Sequence, residues 1–507
     1  MRTNTSIIVV AAVFLGLLCL YVLTAQQGVS WQDAGEFQRR AWQGDYAGVE
    51  GIARAHPLYV AGLHLLTRVF PPAAALRAMH AFSGLGLAVA AAACAWLVLR
   101  LTRSTAAAIG AGLLLGLSHM AWWMATVSEV YAWSLALLLL ETAWLYALII
   151  RPRLRTLCWL ALTSGLGLSV HNFALLSLPV WLAAAVWLIR RRALPWWAPV
   201  PAAAAWLIGA APFLALVAGG LCGPQLIHAV LNDALFGGIY RGQVLGVTPS
   251  ISRSLLAANL ALFALSLLSP LWLAAVQGWR SRHWVQPRAF VVCLTALTGI
   301  HALFFLRYFV PDQATFSLPT LGLTSLWAGI GLAALFGRGG WSTRRQVLML
   351  CVGLACPVLV LRGGAAVAQA CAWEPPRARL LPFRDEVRYW LLPWKNSEHS
   401  AGDFAQAVLV QCGSNDVIYA DSTAAGPLTV TLLAGPARPN PPLVVTYYDT
   451  WTGNPEAWQA FLDRVAARPL YVVSPVPGYV PASLLAGDYV FVKTGVLYRA
   501  TKVRNSM

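Results

Sequence analysis

The sequence predicts an α-helical polytopic membrane protein with a small α/β domain at its C-terminal end. Three observations predict it. First, 59% of the 507 residues are hydrophobic and 11% are charged, whereas a soluble domain carries about 25% charged residues. Mean hydropathy is +0.64. Second, about eleven apolar runs can be drawn through residues 1–361, each at or near the length of a membrane span. Third, helix-like and strand-like pieces alternate beyond Pro375-Pro376.

The runs lie near 7–24, 74–99, 105–120, 126–150, 156–170, 172–189, 197–217, 255–276, 289–306, 319–337 and 346–361. Met1-Arg2 followed by Ile7 to Leu23 looks like a signal sequence, but Ala25-Gln26-Gln27 is a poor cleavage site, so the run reads as a retained first span. Every second loop is basic: Arg100 and Arg103, then Arg151, Arg153 and Arg155, then Arg190 to Arg192. Arg280, Arg282 and Arg288 follow, and then Arg338, Arg344 and Arg345. The positive-inside rule makes those loops cytoplasmic. Loops 25–73, 218–254 and 307–318, the short turns near 121–125 and 171, and residues 362–507 are then outside. The net charge of +17 does not indicate nucleic acid, because the arginines gather at span ends, where topology uses them.

The outer loops are not plain connectors. Residues 57–70 have helical apolar spacing and stop at Pro71-Pro72, too short to span, so an interfacial helix is expected. Gln225 to Phe236 is another amphipathic piece. Gly237-Gly238-Ile239-Tyr240-Arg241-Gly242 follows it and suits a mobile loop that touches an anion. In the last part, helices are expected over Asp403–Val410, Pro427–Leu433 and Pro455–Ala467. Strands are expected over Val417–Ala420, Leu443–Tyr447 and Leu470–Val473, with a closing hairpin over Tyr489–Lys493 and Val496–Arg499. No Gly-rich phosphate loop precedes a helix there, so nucleotide binding is unsupported and a packing or acceptor-binding role is expected. Of nine cysteines, Cys371 and Cys412 lie in polar surroundings and could pair.

Trp31-Gln32-Asp33-Ala34-Gly35-Glu36-Phe37, closing at His56-Pro57-Leu58-Tyr59, stands out at a membrane border. On a helix Asp33 and Glu36 share a face; the plain alternative is that Asp33 caps the helix from Ala34. An Asp-x-Gly-Glu-Phe run after the first span, followed by His-Pro and Tyr, resembles a bacterial branch of the GT-C superfamily. These are integral membrane glycosyltransferases allied to protein O-mannosyltransferases. Ser128-Glu129-Val130-Tyr131, Gly165 through His171-Asn172, Arg307-Tyr308-Phe309-Val310-Pro311-Asp312 and Tyr419-Ala420-Asp421-Ser422-Thr423 extend the resemblance. One departure is the short His56–Tyr59 turn, where relatives carry His-Pro-Pro-Gly-Tyr-Pro.

The resemblance implies a GT-C-like membrane domain over 1–361, a catalytic first outer loop (25–73) and an extracytoplasmic α/β domain over 362–507, in a bacterial inner membrane. It implies transfer of a sugar, mannose by family analogy, from a polyprenyl-phosphate donor. The acceptor is a hydroxyl of a protein, lipid or glycan, and the anomeric centre inverts. Asp33 matches the family's acidic position and is the expected general base; Glu36 binds acceptor or orients Asp33. Arg307, then Arg241, are the expected donor-phosphate contacts, while Arg253 is expected to cap the next span. His56 could bond Asp33 or phosphate, His171 and Asn172 could bond sugar or phosphate, and Glu129 stands at the mouth of a span. Each of these also has a structural reading as a polar turn or ion pair. Trp122 and Trp123 are expected in the interfacial aromatic belt. Asp33, Glu129 and His56 could hold a divalent cation, but no ligand spacing supports one. The alternatives are a lipid-linked-glycan flippase, which should show paired half-repeats, or a non-catalytic envelope scaffold.

Overall fold

The computed structural model describes residues 3–245, 252–374, 379, 381–450, 455–465, 467–486 and 489–502. Helices α1 (Thr3–Thr24), α2 (Gln32–Gln43) and α3 (Pro57–Val69) carry the first apolar run and the loop after it. Next come α4 (Pro72–Thr102), α5 (Thr105–Gly116), α6 (His119–Thr126) and α7 (Tyr131–Ile150). They are followed by α8 (Leu154–Val170), α9 (Ala174–Arg190), α10 (Pro199–Cys222), α11 (Ile227–Phe236) and α12 (Arg241–Val244). The membrane part closes with α13 (Arg253–Ser266), α14 (Ala274–Arg280), α15 (Arg288–Arg307), α16 (Leu318–Arg338) and α17 (Thr343–Ala370).

Among the described residues, 7 helices are long and apolar enough to cross a membrane, or up to 9 if each of two bent pairs is one span. The pairs are α5 with α6, bent by 64°, and α13 with Pro270–Arg280, bent by 88°. The two remaining runs of the sequence reading fall on α8 and α9, each 17 residues. Pro57, Pro72 and Pro199 stand in the first turns of their helices, where a missing N–H costs little. Small residues let helices meet: a Cβ on Gly165 of α8 would lie 2.2 Å from the Trp206 carbonyl of α10. Such close approach substitutes for the hydrophobic drive that lipid does not supply. Helix α3 forms over the expected stretch and leaves Leu65, Val69 and the following Phe70 exposed.

The expected outer turn at 121–125 is instead the buried helix α6. Trp122 and Trp123 are therefore packing residues and not part of a lipid-facing belt. Trp122 donates to Thr24 Oγ at 3.0 Å. Trp123 meets Tyr389 and Trp390 edge-on, and the Lys395 ammonium lies 4.5 Å from its ring centroid. Hydropathy scores a belt tryptophan and a buried one alike, so only tertiary contact separates them.

The last part contains α18 (Glu386–Leu391), α19 (Ser400–Gln411), β1 (Val417–Ala420), α20 (Ser422–Ala434), β2 (Leu443–Thr446) and α21 (Pro455–Val465). It ends with β3 (Leu470–Val472), α22 (Ala482–Leu485), β4 (Tyr489–Thr494) and β5 (Leu497–Lys502). The sheet order is β2-β1-β3-β5-β4; β1 runs parallel to β2 and β3, and β5 antiparallel to β3 and β4. All four residues of β1 are buried, as a central strand covered on both faces requires. Asp421 caps α20 through the Thr423 N–H at 2.9 Å and takes two 2.7 Å bonds from Arg379. The Tyr419–Thr423 stretch is thus a strand-to-helix joint. Cys371 and Cys412 are both free, so the considered pairing does not occur.

This part is not detached from the membrane part. Trp31 and Phe37 of the loop after α1 share one apolar core with Phe404, Ala424 and Leu428. Helix α2 crosses α20 at Gly35 and Gly426, where a Cβ on Gly426 would lie 2.3 Å from the Gly35 carbonyl carbon.

Candidate active site

Helix α2 is set in place from both ends. Before it, Trp31 is buried, donates to Ser400 Oγ at 2.8 Å and lies 5.1 Å from the Phe404 ring. Gln38, fully buried, accepts from the Ser30 N–H at 2.9 Å and donates to the Gly28 carbonyl at 3.2 Å, closing the loop before the helix. After it, Gly44 at φ 68° ends the helix, a backbone position suited to glycine. Arg40, also buried, then gathers the next loop, donating to the carbonyls of Asp45, Tyr46 and Ala55 at 3.1, 3.1 and 2.6 Å.

Asp33 stands in the first turn of α2 and is exposed. A carboxylate there suits the positive end of the helix. Trp31, not Asp33, is the N-cap residue, and no side chain caps this end, so the capping alternative fails. Glu36 does not share the exposure of Asp33. It is buried and takes two 2.7 Å bonds from Arg39, whose guanidinium lies 4.9 Å from the Tyr448 ring. Burial pushes the Glu36 carboxyl up, and the Arg39 pair opposes it. The helix does put both residues near one another, but crossing by α20 buries only the second. Glu36 thus ties α2 to the C-terminal α/β part and is not a second exposed carboxylate beside Asp33.

Ionisable groups converge on Asp33 from three segments. Arg54, in the same loop, feels Glu50, then Asp33. It pairs with Glu50 at 2.9 Å and donates to the Tyr240 hydroxyl at 3.2 Å. Glu129, between α6 and α7, is buried, and its Oε2 has no hydrogen-bond partner. Burial first, then the Asp33 and Asp312 carboxylates, hold Glu129 well above the usual carboxylate range. Ser83 fixes its backbone, meeting both the Glu129 N–H and carbonyl at 3.0 Å. Asp312, before α16, accepts from the Tyr131 hydroxyl at 3.3 Å. Burial, then Asp33, push Asp312 up to about 6. Asn259 secures that turn, donating to the Pro311 carbonyl at 3.0 Å and accepting from the Ala314 N–H at 2.8 Å.

His56 does not bond Asp33. Its Nδ1–H donates to the Val170 carbonyl at 2.8 Å, and its ring lies 4.8 Å from that of His171. Burial, then His171, hold it well below the ordinary imidazole value, so it is neutral. His171 Nδ1 accepts from the Phe173 N–H at 3.2 Å, and burial brings His171 down to about 3. Asn172 is hydrogen-bonded to His171. Arg307 ends α15 and is exposed, as is Arg241, whose guanidinium lies 5.7 Å from the Phe236 ring. The guanidinium acting on Asp312 is that of Arg54. Arg253 opens α13, but the cap is Ser252, which accepts from the Leu255 N–H at 3.2 Å. Among the described residues, no group of three or more His, Cys, Asp or Glu could hold a metal ion.

Sequence reasoning missed Arg54, Glu50 and Tyr240, and gave Asp312 and Tyr131 no role. One signal was available. Arg39, Arg40 and Arg54 lie in a loop assigned to the outside, against the positive-inside trend, as Arg307 does.

No protein-family model matches the sequence, and no curated protein matches it. Among solved structures it is similar to ArnT from Cupriavidus metallidurans. The crystal structure of that protein bound to undecaprenyl phosphate gives a TM-score of 0.61 at 14% identity, covering 100% of this chain and 99% of that one. The apo structure gives 0.58 at 14% identity, covering 99% of each. The chain therefore shares the fold of that protein over its full length, as a multi-pass membrane protein.

Proposed function

We propose that this protein transfers a sugar from a polyprenyl-phosphate-linked donor to an acceptor hydroxyl at the outer face of a bacterial cytoplasmic membrane, with Asp33 as general base. The carrying observation is the setting of Asp33: one exposed carboxylate on α2, facing Arg54, Glu129 and Asp312. The likeness to a protein crystallised with undecaprenyl phosphate supports the donor class. The alternating arginine loops support the sidedness and the extracytoplasmic position of residues 362–507.

In this reading the acceptor oxygen attacks the anomeric carbon while Asp33 takes its proton. The bond from that carbon to the phosphate oxygen breaks, the electron pair leaves with polyprenyl phosphate, and the centre inverts. Arg54 replaces Arg307 as the preferred partner of the leaving phosphate, because it is the cation that Asp33 and Asp312 face. Glu129 stays protonated beside Asp33, and so can donate a hydrogen bond to a sugar or acceptor hydroxyl without competing for the proton. His56, His171 and Asn172 form a neutral wall that positions the sugar. Mannose as the sugar rests on family analogy.

Lipid-linked sugars profiled in a strain lacking the protein should reveal the donor by its accumulation. With that donor, Asp33→Asn should slow transfer by about 10²–10⁴ with donor affinity little changed. Transfer at the wild-type rate would overturn the assignment of the base.

A further inference from the structure

A cleft of about 720 Å³ lies between the end of α17, the segment before α18, and the β3–β5–β4 side of the sheet. It is remote from Asp33. Tyr448, just after β2, meets Arg39 at one flank of the sheet. The cleft takes Val473 from the end of central β3, Tyr498 from β5 and Lys493 from β4, the far edge strand. Four strand spacings of about 4.8 Å separate the flanks by roughly 20 Å. The cleft's size is that of a small-ligand site, about 300–1,000 Å³.

Two features of its wall point to a ligand. Phe383 has φ 65°, a left-handed backbone that bulky side chains avoid, and it is 57% exposed. Strain of this kind persists where the surroundings enforce it, and it collects at ligand clamps. Trp373, 50% exposed, lines the same cleft. Beside these rings the polar groups are planar and already paired. Arg384 donates to Glu386 at 2.7 and 2.9 Å, and Gln369 Nε2 donates to Asp385 at 2.8 Å.

The charge balance selects among ligands. With Lys493 and Glu374, the described lining holds two cations and three carboxylates, which does not complement an anionic lipid headgroup. A neutral pyranose fits better. Its hydroxyls can donate to carboxylates and accept from guanidinium and amide groups, while its C–H face covers an exposed ring. We infer that this cleft binds a neutral oligosaccharide, the saccharide part of the acceptor. The assignment to an acceptor rests on the proposed function; the binding does not.

The test uses the full-length protein in detergent, with chitotriose, maltotriose and mannotriose as probes, read by saturation-transfer NMR and tryptophan fluorescence. At least one trisaccharide should bind, and both Phe383→Gly and Trp373→Ala should weaken it by about tenfold or more. Phe383→Gly removes the ring and relieves the left-handed strain together, so the fold is retained. Asp33→Asn should bind the same trisaccharide as wild type. If that variant also transfers sugar normally, the base assignment falls and the cleft assignment stands. The inference is overturned if no trisaccharide binds, if both cleft variants bind as wild type, or if phosphatidylglycerol vesicles displace the sugar.

Discussion

Gly426→Ala tests whether the C-terminal α/β part sets the position of Asp33. A Cβ at Gly426 would lie 2.3 Å from the Gly35 carbonyl carbon and 2.6 Å from its Cα and oxygen. Carbon atoms in ordinary contact stand about 3.5–4.0 Å apart, so α2 and α20 must separate by roughly 1 Å. Overpacking of this kind costs about 1–3 kcal/mol. Asp33 lies two residues before Gly35, on the first turn of the displaced helix. A displacement of about 1 Å at a reacting group can cost roughly 10²-fold in rate. Gly402→Ala on α19 is the control, because its Cβ would meet only Val29 Cγ2 at 3.8 Å, an ordinary contact. The assay is kcat at saturating donor, alongside a thermal melt of each variant in detergent. Gly426→Ala should lower both kcat and Tm, and Gly402→Ala neither. Equal kcat and Tm in the two variants would refute the coupling.

Three further outcomes follow from the same geometry. Arg54→Ala should lower kcat/KM for the donor by roughly 10²-fold, and Arg307→Ala much less; steady-state kinetics with the lipid-linked donor would move the phosphate contact to Arg307 if the order were reversed. Asp312 rises from 3.8 to about 6 on folding, so its contribution to stability is present below pH 3.8 and is lost as pH rises through 6. At 1.36 kcal/mol per pH unit this is roughly 3 kcal/mol, so Asp312→Asn should raise Tm at pH 7.5 and leave it unchanged near pH 4 in a melt series. Truncation after Arg362 should abolish donor binding, measured with detergent-purified protein, because it strips α20 from α2; a folded truncation that keeps wild-type donor affinity would show that α2 holds its place unaided.

Much of the fold was legible because its signals are local. The strand Val417–Ala420 was read to the residue, and the helix–strand order to the closing hairpin follows the apolar periodicity. Asp33 was legible because its exposure follows from its place in the first turn after a membrane border. Glu36 was not, since its fate depends on α20 and on Tyr448, roughly four hundred residues away in sequence. Arg54 is paired within its own loop, yet its relevance comes from Asp312 and Tyr240, which only folding brings near. The contact between α2 and α20 was not legible for the same reason. Apolar runs mark where the membrane is, but they do not say which outer surfaces meet.

That meeting also bears on why several carboxyls surround Asp33. Each buried carboxylate near Asp33 would raise the cost of a second negative charge, so the cluster cannot ionise freely. Glu129 and Asp312 both rise, and Asp33 is among the causes for each. Burial ranks these side chains: Asp33 is exposed, Asp312 partly buried, and Glu129 buried with one oxygen unpartnered. Glu129, the most buried, is held furthest above the usual carboxylate range. In the proposed function Asp33 is the member of the cluster that an acceptor hydroxyl can reach. Arg54, held by Glu50 and Tyr240, supplies the opposing charge without neutralising Asp33 in a direct pair. In the proposed function this leaves the Asp33 side chain free to reach an acceptor hydroxyl.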